Sequence, residues 1–439
     1  MSPTMTRPTG SPRRIRPERR TRTDLIVSAA VVVVVLVVAA VVWWVAPSRH
    51  TEVDSAPVPL QPVGDATAAP ATLVPGWTAP SPVTPMPVVT ESAVVTADGG
   101  SVVAHDPDDG SIVWSYRRDL PLCGVIAAFP SAPRVVAAYR NSRGCGEVTA
   151  LRADDGRRSS SRSSDADDRI LLQTASDYVV AQGDSRLESW GSSLVRGVEY
   201  GRVSAPVQPN TQPRSGCRLQ SSATGADDIA VVEQCPDENG YRLTVIAASQ
   251  DKDGKVTQLG SRLITDGLAG PVPRVVAVSS GAVAVYRGGS PAASSTGASA
   301  ALGPQIRVYG TDAALRSTHE VLGASDIPPG SVPVRSTSGD GQTALTVFTG
   351  SATVVLDPTA LTPRYQIPGT LGPAVLMGAD LIVPGPSGIT VVDPATGAQR
   401  RTIAVARPGY TGGTVGLAPI GTDIAVQYDG GVHLLRGTA

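Results

Sequence analysis

The sequence predicts an all-β fold: a β-propeller of eight four-stranded antiparallel blades, preceded by one transmembrane helix. Two observations lead to this prediction. A loose repeat of strand, turn and strand occurs near both ends of a chain of 439 residues, and a single long apolar segment stands in front of the repeats. A repeat period of a few tens of residues indicates a solenoid or a propeller, and short strands joined by tight turns favour the propeller.

The repeat consists of a short apolar strand, Asp-Pro, two polar residues, Gly and a second strand. It is clearest at residues 101–116 (SVVAHDPDDGSIVWSY) and 388–405 (GITVVDPATGAQRRTIAV). A partial copy at 147–158 (EVTALRADDGRR) has Arg152 and Ala153 in place of Asp-Pro. Asp and Gly are the residues that tight turns favour, so each copy predicts a hairpin.

Seven such units follow one another from residue 92, and an eighth at the C-terminus lacks its outer strand. Residues 72–79 (TLVPGWTA) are apolar, and Trp77 resembles Trp114 of the first repeat. Pairing the two chain ends in one blade removes exposed strand edges. We therefore predict that 72–79 completes the last blade of a propeller domain over 72–439, with seven blades as the alternative.

The transmembrane segment is predicted at residues 25–45, which carry no charge. About 20 apolar residues cross the hydrocarbon core, and a helix is the state in which a lone segment satisfies its backbone there. Residues 1–24 hold seven arginines against Glu18 and Asp24. The positive-inside rule then predicts a plasma-membrane protein with a basic cytoplasmic tail (1–24) and an extracytoplasmic propeller.

Two alternatives to this topology remain open. A secretory signal has an apolar region of about 7–15 residues and a small-residue cleavage site, whereas here Trp43 and Trp44 stand at the exit. The arginine-rich tail could also bind nucleic acid or anionic lipid. Residues 46–71 are rich in Pro and Ala, a composition that predicts an extended, semi-rigid linker between membrane and propeller.

Charge argues against nucleic-acid binding by the propeller. Seven of the 37 basic and two of the 38 acidic residues lie in the first 24 residues, which leaves 30 basic against 36 acidic residues. Nucleic-acid-binding domains usually present a basic face.

All four cysteines follow the apolar segment: Cys123, Cys145, Cys217 and Cys235. An even number in an oxidising compartment predicts two disulfides, for which three connectivities exist. We favour Cys123–Cys145 and Cys217–Cys235, since each pair would bridge neighbouring loops or strands. The alternative is a Cys₄ zinc site, which the absence of any CxxC spacing disfavours.

The segment from Asp106 to Trp114 resembles the repeat of pyrroloquinoline-quinone (PQQ)-type propellers, and Asp393–Gly397 repeats the motif. The overall layout is similar to actinobacterial single-pass membrane proteins with PQQ-like propeller repeats. The resemblance implies the fold and leaves the function open.

Catalysis is not predicted. A quinoprotein dehydrogenase, the third hypothesis, requires a calcium site, a catalytic Asp and a cofactor held by Trp and a vicinal disulfide, and this chain has no Cys-Cys pair. Acidic clusters beside Gly, such as Asp106/Asp108/Asp109 and Asp251/Asp253, are interpreted as hairpin turns. We therefore predict no catalytic, cofactor-binding or metal-binding residues.

The predicted function is a non-catalytic docking or assembly platform for an envelope protein. By fold it resembles the propeller lipoprotein of the outer-membrane barrel assembly machinery. The alternative is a domain that binds or senses a small ligand, with loops 157–169, 203–215 and 288–303 as candidate sites. Arg214 and Arg218, on either side of Cys217, suggest a small polar or anionic ligand there.

Overall fold

Each blade is a sheet that contains four antiparallel strands, which are counted from the first at the centre of the ring to the fourth at its circumference. In this computed structural model the described residues are 21–438, except 45–46, 176, 207, 267, 269, 290–302, 325, 328–332 and 340. Eight such sheets are present, so the predicted count of eight blades is confirmed and the alternative of seven is wrong. Residues 1–20 of the predicted basic tail lie outside the described residues.

The strands of the first four blades, with the preceding β1 and β2, are β1 (Thr51–Asp54), β2 (Thr72–Pro80), β3 (Val88–Val89), β4 (Val94–Asp98), β5 (Ser101–His105), β6 (Ile112–Arg118), β7 (Leu122–Ala128), β8 (Arg134–Asn141), β9 (Gly144–Arg152), β10 (Arg158–Ser163), β11 (Leu171–Thr174), β12 (Tyr178–Gln182), β13 (Arg186–Gly191), β14 (Arg196–Gly201), β15 (Arg218–Thr224), β16 (Asp228–Gln234), β17 (Tyr241–Ala247) and β18 (Gln258–Ile264).

The strands of the last four blades are β19 (Arg274–Val278), β20 (Ala282–Arg287), β21 (Gln305–Gly310), β22 (Leu315–Glu320), β23 (Val334–Thr337), β24 (Thr343–Phe348), β25 (Ala352–Leu356), β26 (Pro363–Pro368), β27 (Val375–Met377), β28 (Asp380–Gly385), β29 (Gly388–Val392), β30 (Gln399–Ala404), β31 (Gly416–Ile420), β32 (Asp423–Tyr428) and β33 (Gly431–Thr438).

The ring is closed by the two ends of the propeller sequence. β2 pairs with β33 as the outer strand of the eighth blade, in the order β2-β33-β32-β31. This is the pairing that the sequence predicts for residues 72–79. In addition, β1 extends the first sheet at its outer strand β6, so that this sheet has five strands.

The hydrophobic core lies between the blades. Eight clusters of buried side chains occur among the described residues, and each spans the junction of two consecutive blades. The two middle strands of a blade supply most of the members, as with Val95 and Val135 at the first junction. Val and Ala dominate because small side chains let neighbouring blades pack closely, and the β-branched Val suits a pleated surface.

Aromatic side chains on outer strands connect consecutive blades at three junctions. Trp77 donates a hydrogen bond from Nε1 to the Pro107 carbonyl of the next blade (3.0 Å), and Trp114 donates to the Ala153 carbonyl (3.1 Å). Tyr365 donates in the same way to the carbonyl of Pro394, at 2.8 Å. Each acceptor lies in the turn before the fourth strand of the next blade, which is the turn of the repeated motif.

The glycine of the repeated motif is required by the ring that packs on it. Gly110 has φ +78°, and a Cβ atom there would lie 2.6 Å from Cγ of Trp77. A Cβ at Gly156 would likewise lie 2.7 Å from the Trp114 ring, and a Cβ at Gly397 would clash with the Tyr365 ring. A side chain at these positions would therefore be strained by the backbone and would also displace the aromatic ring.

We expect Gly110→Ala to lower the thermal unfolding midpoint more than Gly99→Ala does. Both glycines have positive φ, but a Cβ at Gly99 would meet nothing within 4 Å. Positive φ costs about 1–2 kcal/mol in both variants, and the ring clash adds about 1–3 kcal/mol at residue 110. Equal shifts in the two variants, measured by differential scanning calorimetry of the full-length protein, would show that the ring contact is not stabilising.

The N-terminal unit, residues 1–51, contains helix α1 (Arg22–Trp44). The helix has 23 residues and is long and apolar enough to cross a membrane, as an anchor or as a signal sequence. Its side chains are exposed throughout, and the Arg49 guanidinium lies 4.0 Å from the ring centroid of Trp43.

Residues 52–71, which the sequence predicts to be part of a linker, lie against the propeller and form hydrogen bonds with it. We call this segment the strap. Ala56 is buried and donates its amide to the Asp155 carbonyl, and Leu60 donates to that of Asp154. The strap then passes the inner turns of blades one, eight and seven before β2 begins. Pro and Ala favour extended backbone, and an extended chain can satisfy its polar groups on the exposed turns of the blades as well as in water.

The far end of the strap is bound to the seventh blade. The Ala69 amide donates to the Asp380 carboxylate (3.0 Å), and the Arg401 guanidinium donates to the Ala69 and Pro70 carbonyls at 2.6 and 2.9 Å. Residues 52–71 therefore belong to the same compact unit as the propeller.

Candidate functional site

The central channel opens into a cavity of about 890 Å³. Its wall is formed by the last residues of the first strands and by the turns that follow, from seven of the eight blades. We call this side of the ring, which carries the turns after the first and third strands, the mouth face. Its residues include Glu91, Ala128, Arg134, Gln173, Thr174, Thr224, Val278, Arg335, Thr337 and Ala418.

Small side chains on the inner strands make the cavity wide, and hydroxyl groups make it polar. Some of the polar groups already have partners: Gln173 donates to Ser222, and Ser279 donates to the Thr359 carbonyl across two blades (2.6 Å). A volume of this size is sufficient for a small organic ligand or for a few residues of an extended chain.

Two arginines lie on opposite sides of the cavity, in blades two and six. Arg134 begins β8; it donates from Nη1 to the Pro133 carbonyl at 3.0 Å, and its buried Nε has no hydrogen-bond partner. Arg335 lies on β23, where exposure alternates along the strand so that Arg335 and Thr337 face the channel. Burial lowers the pKa of Arg335 below its ordinary value.

The strap passes the rim of this cavity. The Val63 amide donates to the Glu91 carbonyl, and a Cβ at Gly421 would lie 2.7 Å from Val63. Farther along, the Asp65 carboxylate lies close to Gly339, in the turn that follows β23. The strap therefore borders the mouth on the side of blades one, eight and six.

The acidic clusters of the sequence are turns, as predicted. Asp106 accepts the amide of Asp108, and Asp251 accepts the amides of Asp253 and Lys255 at 2.9 and 2.8 Å. These carboxylates accept hydrogen bonds from backbone amides of their own turns.

The cysteines form the two disulfides that the sequence favours, Cys123–Cys145 and Cys217–Cys235. The first joins the first and third strands of blade two. The second joins the residue before the first strand of blade four to the residue after its second strand. Glu233 lies beside the second pair, but the sulfur atoms are bonded to each other and Glu233 accepts hydrogen bonds from Tyr200, Arg214 and Thr244. These cysteines are not available as zinc ligands.

Arg214 is not a free anion-binding group. Its guanidinium lies 2.9 Å from Glu233 and also donates to Thr244 and Gln258. Arg218 lies 3.6 Å from Asp184 in an exposed ion pair. Both arginines that suggested an anionic ligand near Cys217 are therefore already paired with carboxylates. Most of loop 288–303, another candidate, lies outside the described residues.

Residues 157–169, predicted as a loop, contain strand β10 and an ordered carboxylate, so that prediction is wrong. The Asp167 carboxylate accepts from the amide and hydroxyl of Ser185, from the Arg186 amide and from Arg202. Burial alone would raise the pKa of Asp167, but these hydrogen bonds together hold it below its ordinary value. The outer strand β10 is exposed to solvent and therefore has a polar composition of serine and arginine, which in the sequence resembles a loop.

We expect Asp167→Asn to destabilise the protein by about 1–3 kcal/mol at pH 7, since hydrogen bonds to a charged group are lost. A lowered pKa means that the wild-type stabilisation is present above about pH 4 and disappears as the carboxylate is protonated. The difference in thermal midpoint between variant and wild type should therefore shrink below about pH 4. The exposed neighbour Asp168 provides the control: Asp168→Asn should have little effect at any pH, and an equal effect would contradict the assignment.

The cavity residues were not identified from the sequence. Several first strands are short or mixed in composition, such as LLQT of β11 and VRST of β23, and the units recognised in the sequence begin at the second strand. Arg335 carries no motif. Its significance arises only when the ring brings the first strands together.

The fold, the repeats and the apolar helix together define an eight-bladed PQQ-like β-propeller protein with an N-terminal apolar helix. A family model described as outer membrane protein assembly factor BamB matches residues 68–214, about a third of the chain. The match covers the closing strand and the first three blades, and over that part the chain resembles this family.

Other comparisons are distant. No curated protein matches significantly. Among solved structures, dihydro-heme d1 dehydrogenase NirN is 14% identical over 76% of this chain and 67% of its own, with a TM-score of 0.45. Citrobacter koseri AztD is 15% identical over 75% and 87% (TM-score 0.45), and the Neurospora crassa Pan2 WD40 domain is 12% identical over 73% and 90% (TM-score 0.39). Likeness at this level carries no information about function.

Proposed function

We propose that this protein is a membrane-anchored, extracytoplasmic and non-catalytic platform that docks a protein of the cell envelope through its mouth face. The observation that carries the proposal is the convergence of seven blades on one open cavity at that face. The large exposed apolar side chains of the described propeller are, by contrast, dispersed. Val74, Ile112, Leu259 and Leu315 lie on separate outer strands, and Val195, Leu268 and Leu322 lie in separate turns or loops. A partner segment that enters the cavity can contact many blades at once.

Two further observations support the proposal. The family model that matches the first third of the propeller is described as an assembly factor. Both disulfides lie in the propeller and beyond the apolar helix, and disulfides persist in oxidising compartments outside the cytoplasm.

The topology is tested by cysteine labelling of intact cells. The four native cysteines are in disulfides, so an introduced cysteine is the single free thiol in each variant. A membrane-impermeant maleimide should label Ala68→Cys, in the exposed strap, and should label Ser11→Cys only after lysis. Labelling of Ser11→Cys in intact cells would contradict the orientation. Loss of the N-terminal residues from the mature protein would identify a cleaved signal instead.

Docking is tested by site-specific photocrosslinking in cells. A photoreactive amino acid at Thr174, on the cavity wall, should capture one envelope protein in roughly stoichiometric yield. The control position is Asp184, which is exposed in the same blade but lies in the turn after the second strand, on the opposite face. Equal capture from both positions, or capture from Asp184 alone, would exclude the mouth face as the docking surface.

A second candidate function is the binding of a small ligand in the same cavity. Its volume and its converging polar groups favour this candidate. The two candidates differ in what occupies the channel, and the photocrosslinking experiment reports only on the protein.

A further inference from the structure

The polar and charged side chains of the cavity differ in how many hydrogen-bond partners they already have. Gln173 and Ser279 have partners within the propeller, and Arg134 is held at the Pro133 carbonyl. Arg335, in contrast, makes no hydrogen bond or ion pair with any residue that the structure describes. Among the described residues, the five donors of this permanently charged guanidinium therefore have no partner.

The surroundings of Arg335 favour an anion that brings an apolar body. The side chain projects from the central part of β23 into a space whose walls are Ala, Val and Pro as well as hydroxyl groups. The Arg335 side chain is exposed to the channel, and partial desolvation by the surrounding wall lowers its pKa below the ordinary value. In a partly desolvated site a charge-assisted hydrogen bond is stronger than at the surface.

The other charges of the cavity set the polarity. Arg134 stands on the opposite wall and adds a second positive charge. Glu91 is the acidic lining residue, and it lies in the exposed turn after β3, at the rim. The charged lining residues are therefore two arginines and one glutamate, which gives the described wall a net positive charge. Arg335 and Glu91 are both exposed to solvent.

We propose that the cavity at the mouth face binds an organic carboxylate with a compact apolar body, and that Arg335 is the residue that binds the carboxylate. The inference rests on the second candidate function, binding of a ligand in the cavity. Planar guanidinium and planar carboxylate match in a bidentate geometry, and the small apolar walls receive the remainder of the ligand. The carboxylate belongs either to a free organic acid or to the C-terminus of a peptide.

The test uses full-length protein in lipid nanodiscs and ligand-observed NMR, followed by isothermal titration calorimetry. The probes are matched pairs of an aromatic acid and its amide, with 2-naphthoate and 2-naphthamide as the lead pair. C-terminal peptides with a free or an amidated terminus form the second arm. We expect acids to bind at least about tenfold more tightly than their amides, the size of effect typical of a hydrogen bond to a charged group.

Variants locate the effect. Arg335→Gln should remove the preference for acids, Arg335→Lys should restore part of it, and Glu91→Gln should leave or strengthen it. Arg169→Gln is the matched control, since Arg169 is an exposed arginine in the connection from β10 to β11, on the opposite face. It should retain the full preference, and thermal midpoints of all variants establish that they are folded.

The outcomes separate the two levels of the proposal. Equal binding of acids and amides, insensitive to Arg335→Gln, would overturn the role of Arg335 and leave a cavity that binds neutral ligands. No binding of any probe would overturn both the inference and the second candidate function. Docking of an envelope protein through the mouth face is decided separately, by photocrosslinking. Preference for free acids over peptide termini, or the reverse, identifies the source of the carboxylate.

Discussion

The propeller depends on one recurring contact, in which a side chain on the outer strand of a blade donates a hydrogen bond to the turn of the next blade. Trp77, Trp114 and Tyr365 supply this donor at three junctions and also cover the glycine of the turn. Blades are otherwise joined by nonpolar packing of Val and Ala, which has little directional preference. The hydrogen bond and the close ring contact add a directional constraint between consecutive blades.

Other side chains provide the same contact where the aromatic residue is missing. Arg162 of the second blade reaches the Leu194 carbonyl in the turn of the third blade, at 3.4 Å, and is paired with Glu188. Arg401 of the seventh blade reaches the carbonyls of Ala69 and Pro70, which precede β2 and so occupy the place of the turn in the eighth blade. The strap is therefore part of the closure of the ring.

Close backbone approach replaces the side chain at one further junction. A Cβ at Gly260, on the outer strand of the fourth blade, would lie 2.2 Å from the Asp312 carbonyl carbon in the turn of the fifth blade. Here the glycine is on the outer strand and packs against the backbone of the turn. At Trp77 and Gly110 the arrangement is reversed, since the glycine is in the turn and the large side chain is on the strand. The geometry of the junction is kept while the residues that produce it change, which explains why the repeat is weak in the sequence.

The amino-acid sequence by itself determined the local structure: an apolar helix, short apolar strands, hairpins capped by Asp and Gly, and the two ends of a ring. These features depend on residues close in sequence, on the spacing of units, or on a single unmatched strand such as the one around Trp77. The tertiary structure decided what depends on residues far apart in the chain. Asp167 meets Ser185 and Arg202 only when the strands of the third blade assemble. Only in the closed ring do the first strands place Arg335 in a channel. The strap is the clearest case, since its proline-rich composition is equally suited to water and to the face of a propeller, and long-range hydrogen bonds decide between them.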